Sequence, residues 1–599
     1  MLHHSSTQPA GPRCFAAAAM LITLAAPAGA QNLTVTAVSP TSNTLVAPVD
    51  SAIAITFDQP VDRASITDRS FWAFGRWSGR ATGTFSFSDG DRVVTLTPDF
   101  PFSAGETVMV ILSHDIRSAG NEPLRSAGYS HLFWTRAQPA GLQFEAVQTL
   151  STRSNPNTRT RAYGALATDL NGDRFLDLTT INEDSADLRV FLNKAEGNCE
   201  LHPFSGPYPV NRRASPNEPS DFNHDGFADV CVANINTNTI SVVLGRGDGT
   251  FQPQTQYTVG GAPRGIAVLD VNGDGHADIV NTNSSSSNLS ILVNRGDGTF
   301  NAPVFFEGGG SGEYGLAAAD MNEDGILDLV ASAVNSSRMV VLTGNGDGTF
   351  TLASTQSSGG YTWMIALGDV NGDGHVDVAG CNAFSPGSGV ILLGDGAGNL
   401  GSPTSYVTDE FPLATDLGDL DGDGDLDWIN SSFSGDWSLH VNDGSGRFLF
   451  HREFAATSAA SCSTMFDADN DGDLDLALID ELDDTVQILR HVGAAPGLGL
   501  SLVGGCPGTV VVAITNGQPG ARVALVNAEA PGSARIPNGL PCAGTVLGLN
   551  GSARLLATLR FGRDRIANVQ GEASSGACGT YLQAVGLNDC SMSEVIRVQ

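Results

Sequence analysis

The sequence has no basic stripe and few cationic residues. Of its 599 residues, 64 are Asp or Glu and 31 are Lys or Arg, which gives a formal net charge of −33. This charge balance disfavours a nucleic-acid partner. After the first thirty residues, no apolar run approaches the ~18 residues of a membrane span. A nucleophile elbow, a zinc motif and a nucleotide-binding loop are also absent, and we therefore expect no enzymatic activity.

The first thirty residues have the features of a secretory signal peptide. Arg13 supplies the positive charge, Phe15–Pro27 the short apolar segment and Ala28–Ala30 the small-residue cleavage site. Cys14 precedes the apolar segment, which disfavours a lipoprotein. We predict cleavage before Gln31 and a mature protein that is secreted or held at the cell surface.

One nine-residue pattern occurs seven times, with Asp at positions 1, 5 and 9 and Asn or Asp at position 3. Successive copies start 52, 49, 50, 49, 50 and 48 residues apart, at Asp169, Asp221, Asp270, Asp320, Asp369, Asp419 and Asp467. A constant period near 50 indicates a repeat architecture. Alternate residues of a tight loop direct oxygen ligands inward, and glycine lets the backbone close around a cation. The loops hold 26 of the 64 acidic residues, so the acidity belongs largely to these candidate metal sites.

The residues around each loop predict four strands per repeat. In the third copy, the β-patterned runs are Gly265–Leu269, Ala277–Val280, Leu289–Val293 and Phe300–Val304. Seven such units predict a closed seven-bladed β-propeller over residues 141–493. The seventh copy lacks its last strand, and an exposed edge would invite aggregation. We therefore predict that the run Leu142–Val147 completes the last blade.

The flanking segments also predict β-structure, so the whole chain is expected to be all-β. Residues 31–138 contain β-runs separated by turn clusters, which indicates a small Ig-like β-sandwich. Residues 494–599 contain the runs Val510–Ile514 and Arg522–Val526, which predict a second β-sandwich-like domain. Four clustered cysteines in that region predict two disulfides of unspecified pairing: Cys506, Cys542, Cys578 and Cys590. Cys231, Cys381 and Cys462 are predicted to be buried thiols, and Cys199 is left undecided.

Two resemblances follow from these motifs. The seven acidic loops and the Gly-Asp-Gly-Thr-Phe turns at 247–251, 296–300 and 346–350 resemble the FG-GAP/VCBS family, which includes integrin α-subunit propellers and some fungal lectins. Residues 31–138 resemble the bacterial Ig-like domain of surface proteins, through Ser39-Pro40, Leu96-Thr97-Pro98 and Phe133-Trp134-Thr135. The first resemblance implies Ca²⁺ in up to seven loops, with position 7 donating its backbone carbonyl. The second implies a spacer or display module.

The implied calcium ligands occupy positions 1, 3, 5, 7 and 9 of each loop. The loops offer only oxygen donors on a flexible frame, which favours Ca²⁺ over Mg²⁺ or Zn²⁺. His276 and His375 are expected to point away from the ion, and Arg174, which replaces a glycine, is expected to weaken the first site. A metal-free Asx turn is the alternative for any single loop. The full set is Asp169, Asn171, Asp173, Phe175, Asp177; Asp221, Asn223, Asp225, Phe227, Asp229; Asp270, Asn272, Asp274, His276, Asp278; Asp320, Asn322, Asp324, Ile326, Asp328; Asp369, Asn371, Asp373, His375, Asp377; Asp419, Asp421, Asp423, Asp425, Asp427; Asp467, Asp469, Asp471, Asp473 and Asp475.

A ligand surface is expected on the face opposite the acidic loops. Six residues before each loop, the chain places Tyr163, Ser215, Arg264, Tyr314, Trp363, Leu413 and Ser461. Of these, Tyr163, Arg264, Tyr314 and Trp363 are the candidate ligand residues, because aromatic rings beside polar loops suit glycans or extended peptides. The alternative is that they pack between the blades.

The sequence therefore favours a secreted, calcium-binding, non-enzymatic adhesion or ligand-binding protein for glycans or extracellular proteins. Two alternatives stay open. The chain is an accessory or catalytic part of a secreted polysaccharide-degrading enzyme, or it is a purely structural component of the cell surface.

Overall fold

The computed structural model describes residues 32–383 and 387–492 continuously, and residues 498–598 in segments separated by short gaps. These residues form β-structure with two 3-10 turns, Arg63–Ser65 and Val334–Ser336. The all-β prediction is confirmed. No helix in this part of the chain has the length and apolar character needed to cross a membrane. The predicted signal peptide lies outside the described residues.

The N-terminal unit is a sandwich of two four-stranded antiparallel sheets. One has the order β1-β2-β6-β5 and the other β4-β3-β7-β8. Alternate residues of β2, among them Ile53, Ile55 and Phe57, are buried in the core between the sheets, as period-2 patterning requires. The strands are β1 (Val35–Ser39), β2 (Ile53–Phe57), β3 (Phe71–Gly75), β4 (Gly79–Arg80), β5 (Gly83–Ser88), β6 (Val93–Pro98), β7 (Thr107–Leu112) and β8 (Tyr129–Trp134).

The repeat region forms seven four-stranded antiparallel sheets, which we number 1 to 7 in chain order. The strand β9 (Phe144–Ser151) precedes them. Within each sheet the first three strands pair in sequence order, and the acidic loop joins the first strand to the second. Sheet 1 contains β10 (Ala162–Thr168), β11 (Asp177–Asn182), β12 (Asp187–Phe191) and β13 (Ser205–Pro209); sheet 2 contains β14 (Ala214–Ser220), β15 (Asp229–Asn234), β16 (Thr239–Val243) and β17 (Thr255–Thr258); sheet 3 contains β18 (Pro263–Leu269), β19 (Asp278–Asn283), β20 (Asn288–Leu292) and β21 (Val304–Phe306); sheet 4 contains β22 (Glu313–Ala319), β23 (Asp328–Ala333), β24 (Arg338–Gly344) and β25 (Phe350–Ser357); sheet 5 contains β26 (Thr362–Gly368), β27 (Asp377–Asn382), β28 (Ser388–Leu392) and β29 (Thr404–Val407); sheet 6 contains β30 (Pro412–Gly418), β31 (Asp427–Ser432), β32 (Trp437–Asn442) and β33 (Phe448–Phe454); sheet 7 contains β34 (Ala460–Phe466), β35 (Asp475–Asp480) and β36 (Thr485–His491).

The fourth strand of sheet 7 comes from the N-terminal side of the repeats. β9 pairs antiparallel with β36 from Ser151 opposite Thr485 to Phe144 opposite His491. The prediction that this segment completes the last repeat is confirmed. The ladder covers what would otherwise be an open sheet edge.

The first strands of neighbouring sheets contact one another, and β34 of sheet 7 contacts β10 of sheet 1. Hydroxyl groups also connect neighbouring sheets, from the second strand of one sheet to the first strand of the next or between two first strands. Thr282 Oγ1 donates to the Tyr314 carbonyl at 2.7 Å, and Ser431 Oγ donates to the Ser461 carbonyl at 2.9 Å. Ser461 Oγ in turn lies 3.3 Å from the Ala162 carbonyl. The succession of contacts therefore runs from sheet 1 to sheet 7 and back to sheet 1.

The C-terminal unit contains two further antiparallel sheets, with orders β37-β38-β41 and β40-β39-β42-β43. The two predicted strand runs fall within β38 and β39. Cys506 and Cys590 lie outside the described residues, so the two disulfides stay a prediction. The thiols of Cys199, Cys231, Cys381 and Cys462 are free, as predicted for the last three, and Cys462 is only partly buried. The strands are β37 (Gly499–Gly504), β38 (Gly508–Thr515), β39 (Arg522–Ala528), β40 (Arg554–Arg560), β41 (Ala567–Ala573), β42 (Tyr581–Gly586) and β43 (Ile596–Arg597).

Candidate metal loops and the opposite mouth

The aspartate at position 9 fastens every acidic loop to its sheet. In the third loop, Asp278 Oδ2 accepts from the Val271 amide at 3.0 Å, and Oδ1 accepts from the Asn294 amide at 2.7 Å. The same pair of bonds recurs in all seven loops. One comes from the amide at position 2, and the other from an amide 15 to 17 residues after the aspartate. Position 9 therefore has a structural role in addition to the predicted role of ligand.

In loops 1 to 5, hydrogen bonds connect the other acidic positions. Asp270 accepts from the Gly273 and Gly275 amides at 2.8 and 2.7 Å, and Asn272 Nδ2 donates to Asp274 Oδ2 at 2.9 Å. The equivalent bond from Asn to Asp is present in each of these five loops. Burial raises the pKa of Asp270 to about 7, and repulsion from Asp274 adds to the effect.

Loops 6 and 7 have Asp at position 3, so that amide-to-carboxylate bond is lost. One oxygen each of Asp419, Asp421 and Asp423 can lie within 4.8 Å of the others, and the same holds for Asp467, Asp469 and Asp471. In loop 7, the buried atoms Asp467 Oδ1 and Asp469 Oδ1 have no hydrogen-bond partner among the described residues. The converging carboxylates of both loops fit a divalent cation, and in loop 7 the unpartnered oxygens add to that fit.

The residues at position 7 direct their backbone amides to the Asp at position 5, and the two histidines among them direct their side chains to neighbouring loops. His276 Nδ1 lies 2.8 Å from His224 Nε2 of loop 2, and His375 Nδ1 lies 2.5 Å from Glu323 Oε1 of loop 4. Arg174 has a left-handed backbone with φ of 71° and still donates its amide to Asp169 at 2.9 Å. Its backbone therefore substitutes for the glycine of the other loops, which removes one reason to expect a weakened first site.

The N-terminal unit covers the face that carries the acidic loops. His114 N donates to the Gly273 carbonyl at 2.7 Å, Ser130 N to Gly325 at 2.9 Å, and Gln138 N to Gly472 at 2.7 Å. Further bonds link Asn43 to Gly374, Ala140 to Asp421 and Trp77 to Asp169. Trp72, Phe74 and Ile111 share a hydrophobic cluster with sheets 1 to 3. A spacer module would leave this face open, whereas here the unit is part of the packed structure.

Arg80 gives the second loop a cation from the N-terminal unit. Its Nη1 lies 2.7 Å from Asp221 Oδ2 and 2.6 Å from His224 Nδ1. The guanidinium stacks over Trp72 at 5.1 Å, and the side chains of Arg80 and Asp221 are 6% and 0% exposed. Burial raises the pKa of Asp221, and Arg80 opposes that shift. The docking of the two units therefore involves position 1 of a candidate metal loop.

A cavity of about 330 Å³ runs along the first strands of the seven sheets. At one end it is bordered by Phe74, Met109, Leu132 and Trp134 of the N-terminal unit, and its lining extends to Tyr163, Ser215, Leu413 and Ser461 at the far ends of the strands. The N-terminal unit therefore closes the end of this cavity that lies beside the acidic loops.

Aromatic rings stack at the other end, which we call the mouth. The Arg264 guanidinium lies 4.6 Å from the Tyr314 ring, which stacks on Trp363 at 4.9 Å. Trp363 meets Phe411 edge to face at 5.1 Å. Burial raises the pKa of Tyr163, with Tyr314 adding to the shift and Arg264 opposing it, so Tyr163 belongs to the same group. The Tyr314 hydroxyl is buried and has no hydrogen-bond partner among the described residues.

Ion pairs occupy the part of the mouth formed by sheets 7, 1 and 2. Arg161 Nε lies 2.5 Å from Glu481 and 3.3 Å from Glu183, and Arg213 Nε lies 3.5 Å from Glu183. Sequence reasoning missed these residues. They occupy two equivalent positions of the aligned repeats, which we call columns: the first lies eight residues before the start of each loop and the second fourteen residues after it. In every sheet the backbone amide of the second column donates to the carbonyl of the first. Aligning the seven copies by these columns would have found the ion pairs and Phe411.

Comparison with known proteins agrees with the repeat and with the N-terminal unit. A profile described as "FG-GAP-like repeat" matches residues 221–281, 270–331, 330–380, 369–430 and 419–478, and one described as "Bacterial Ig-like domain" matches residues 30–135. No curated protein matches the chain.

Among solved structures, the chain is similar to a functionally unknown protein from Desulfotomaculum acetoxidans DSM 771, at 12% identity over 62% of this chain and 95% of that one, with a TM-score of 0.37. It is also similar to a candidate 6-phosphogluconolactonase from Bacteroides uniformis ATCC 8492, at 14% identity over 66% and 98% of the two chains, with a TM-score of 0.38. Scores this low support no conclusion about activity. The chain contains five FG-GAP-like repeats and an N-terminal bacterial Ig-like domain, a combination that fits an extracellular binding or structural module.

Proposed function

We propose that the protein is an exported, calcium-stabilised and non-enzymatic binding or adhesion protein, whose seven sheets form a seven-bladed β-propeller. The succession of contacts between first strands, which returns from sheet 7 to sheet 1, supports the propeller. The contribution of β9 to sheet 7 supports it as well, because strand exchange between the chain ends closes a ring of blades.

Calcium is proposed as the structural cation of the loops. Up to seven ions would be held through positions 1, 3, 5, 7 and 9, and among the loops that offer only oxygen ligands, loop 6 would bind Ca²⁺ most tightly because it carries a carboxylate at position 3. A bound divalent cation would neutralise carboxylates that otherwise repel each other, so binding favours the folded state.

The ligand is proposed to be a glycan held at the mouth. One observation carries this proposal: Arg264, Tyr314, Trp363 and Phe411 form a continuous stack beside the ion pairs of Arg161. A flat aromatic face takes the apolar face of a sugar ring, while nearby charged groups bind its hydroxyl or acidic substituents. An extracellular protein presenting an aromatic or acidic side chain is the alternative occupant.

Binding of the mature chain to a glycan array in Ca²⁺ tests this assignment. The double variant Tyr314→Ala plus Trp363→Ala should lose about tenfold to 100-fold in affinity, since two ring contacts contribute about 1.4 to 2.8 kcal/mol together. Phe305→Ala is the matched control, because Phe305 is an exposed ring on the outer strand of sheet 3. Equal binding by the double variant and the native chain would exclude the mouth. Release of reducing ends from a bound polysaccharide would instead support the enzymatic alternative, and binding to no glycan or protein the structural one.

A further inference from the structure

The turn after the third strand of sheet 1 differs in length from its counterparts. In sheets 2 and 3 the turn is closed by bridges between Gly245 and Phe251 and between Asn294 and Phe300, whereas in sheet 1 the bridge joins Asn193 and Leu201. The turn of sheet 1 is therefore two residues longer than the others. Like the corresponding turns of sheets 2 and 3, which bond to loops 1 and 2, this turn lies against the acidic loop of the preceding sheet, loop 7, and it carries Cys199.

Cys199 lies against the carboxylates of loop 7. Its thiol is fully buried, and Sγ lies 3.2 Å from Asp475 Oδ2. Sγ and one oxygen each of Asp469 and Asp475 can lie within 4.8 Å of one another. Asp469 also belongs to the group that it forms with Asp467 and Asp471. Four carboxylates of loop 7 and the sulfur atom of Cys199 therefore meet here, and among the described residues Cys199 is the one cysteine grouped with such carboxylates.

A second observation points to a ligand at this place. Asp467 is only 4% exposed, and its Oδ1 has no hydrogen-bond partner among the described residues. The buried Oδ1 of Asp469 also lacks a partner in this part of the chain. A buried carboxylate oxygen without a partner costs free energy that a cation removes. Asp469 is grouped with Cys199, and Asp467 is grouped with Asp469.

We propose that loop 7 and Cys199 form a mixed thiolate–carboxylate site for a borderline divalent cation of the zinc type. This proposal rests on the proposed binding of cations by the loops and differs from it in the identity of the cation. Sulfur donors favour Zn²⁺, Co²⁺ and Cd²⁺, whereas Ca²⁺ takes oxygen ligands almost exclusively. On binding, the Cys199 thiol loses its proton to solvent and the sulfur coordinates the metal as a thiolate, with no change in oxidation state. The site formed by loop 7 and Cys199 would then bind a different cation from loops 1 to 6, which offer only oxygen ligands.

The test uses the mature chain with its disulfides intact and its metal removed, so that the C-terminal cysteines do not bind the added ions. Titration with Co²⁺ should produce a near-ultraviolet sulfur-to-cobalt charge-transfer band that saturates at about one ion per chain. Dialysis against Zn²⁺ with excess Ca²⁺, followed by elemental analysis, should leave about one zinc per chain. Cys199→Ser should abolish the cobalt band and weaken zinc binding by at least about tenfold, which is the loss expected from removing even an outer-shell partner of a metal site.

Cys462→Ser is the matched control, because it removes a free, partly buried thiol on β34 away from the loop. It should leave the cobalt band and the zinc content unchanged. The proposal is overturned if native chain shows no charge-transfer band, if excess Ca²⁺ displaces the zinc, or if Cys199→Ser retains it. The cobalt spectrum of the native chain decides the question even if a variant does not fold. Calcium bound without zinc would remove only this proposal, while a chain that binds neither cation would also remove the proposed calcium sites.

Discussion

Replacing Arg80 with methionine should weaken the docking of the Ig-like unit on the second acidic loop. The substitution keeps an unbranched side chain over Trp72 but removes the only guanidinium that contacts Asp221 among the described residues. Asp221 would then be a buried carboxylate without a cation. It would keep its hydrogen bonds from the Asp225 and Gly226 amides, both at 3.0 Å.

The expected cost follows from the burial of the pair. Removing one partner of a buried ion pair destabilises a protein by about 3–5 kcal/mol. We expect the lower end, about 3 kcal/mol, because two backbone amides still stabilise Asp221 and because the carboxyl can take up a proton. Saturating Ca²⁺ should reduce this cost to about 1 kcal/mol if loop 2 binds the ion, since the ion then provides the missing positive charge.

Urea unfolding of the mature chain, followed by circular dichroism and tryptophan fluorescence, measures the effect with and without chelator. Asp221→Asn and the double variant complete a cycle in which Arg80 and Asp221 should couple by about 2 kcal/mol. Arg63→Met, which breaks the exposed Arg63–Asp91 pair, is the control and should leave stability nearly unchanged. The reasoning is refuted if Arg80→Met costs less than about 1 kcal/mol in chelator, or if the two substitutions are additive.

Three further outcomes are expected. In chelator, thermal stability should fall as the pH rises from about 5 to about 8. Burial raises the folded-state pKa of Asp270 to about 7 and of Asp177 to about 8, above the ~3.9 of an unfolded Asp. The stabilisation by the protonated carboxyls is therefore lost as the pH rises through the folded-state pKa values. Calorimetry that shows a rising midpoint over this range in chelator would contradict the assignment. Leu150→Ala on β9 should destabilise the fold by about 2–4 kcal/mol in urea titrations, because Leu150 is buried in the cluster between sheets 1 and 7, whereas Glu145→Ala on the same strand should have little effect because its ion pair is exposed. Asp278→Asn should destabilise the fold by about 2 kcal/mol even in chelator. Each Asp278 oxygen accepts from a backbone N–H, and the NH₂ group of Asn would place a donor opposite one of them. A cost that appears only in Ca²⁺ would show that position 9 acts through the metal alone.

The number of sheets and the closing strand could be predicted because they follow from local patterns. A fixed Asp spacing with apolar alternation on both sides specifies where each sheet begins, and the missing last strand of the seventh copy requires a donor such as Leu142–Val147. The sequence contains no such pattern for the docking of the N-terminal, Ig-like unit on the acidic loops. Its bonds go to backbone carbonyls of Gly273, Gly325 and Gly472, and every loop has such carbonyls whether or not a partner covers them.

The candidate site was predicted in part for the same reason. The residues that lie six positions before the start of a loop include Arg264, Tyr314 and Trp363. The structure brings these three side chains into contact. The Arg161–Glu481 ion pair joins sheets 1 and 7, which are far apart in sequence and adjacent in space. Cys199 lies in the turn of sheet 1 that contacts loop 7, and this contact joins the first sheet to the last, which are far apart in sequence.

The Ig-like unit also limits what a ligand at the mouth can do. Phe74, Met109, Leu132 and Trp134 border the end of the central cavity beside the acidic loops, so the cavity is blind from that side rather than an open channel. The remaining volume of about 330 Å³ is at the small end of the range for ligand pockets. A long chain therefore cannot thread through the seven sheets, and the lining deeper in the cavity combines these apolar residues with the Arg76–Glu218 ion pair. Recognition of one terminal group, stacked against Tyr314 and Trp363, is the mode of binding that this geometry favours.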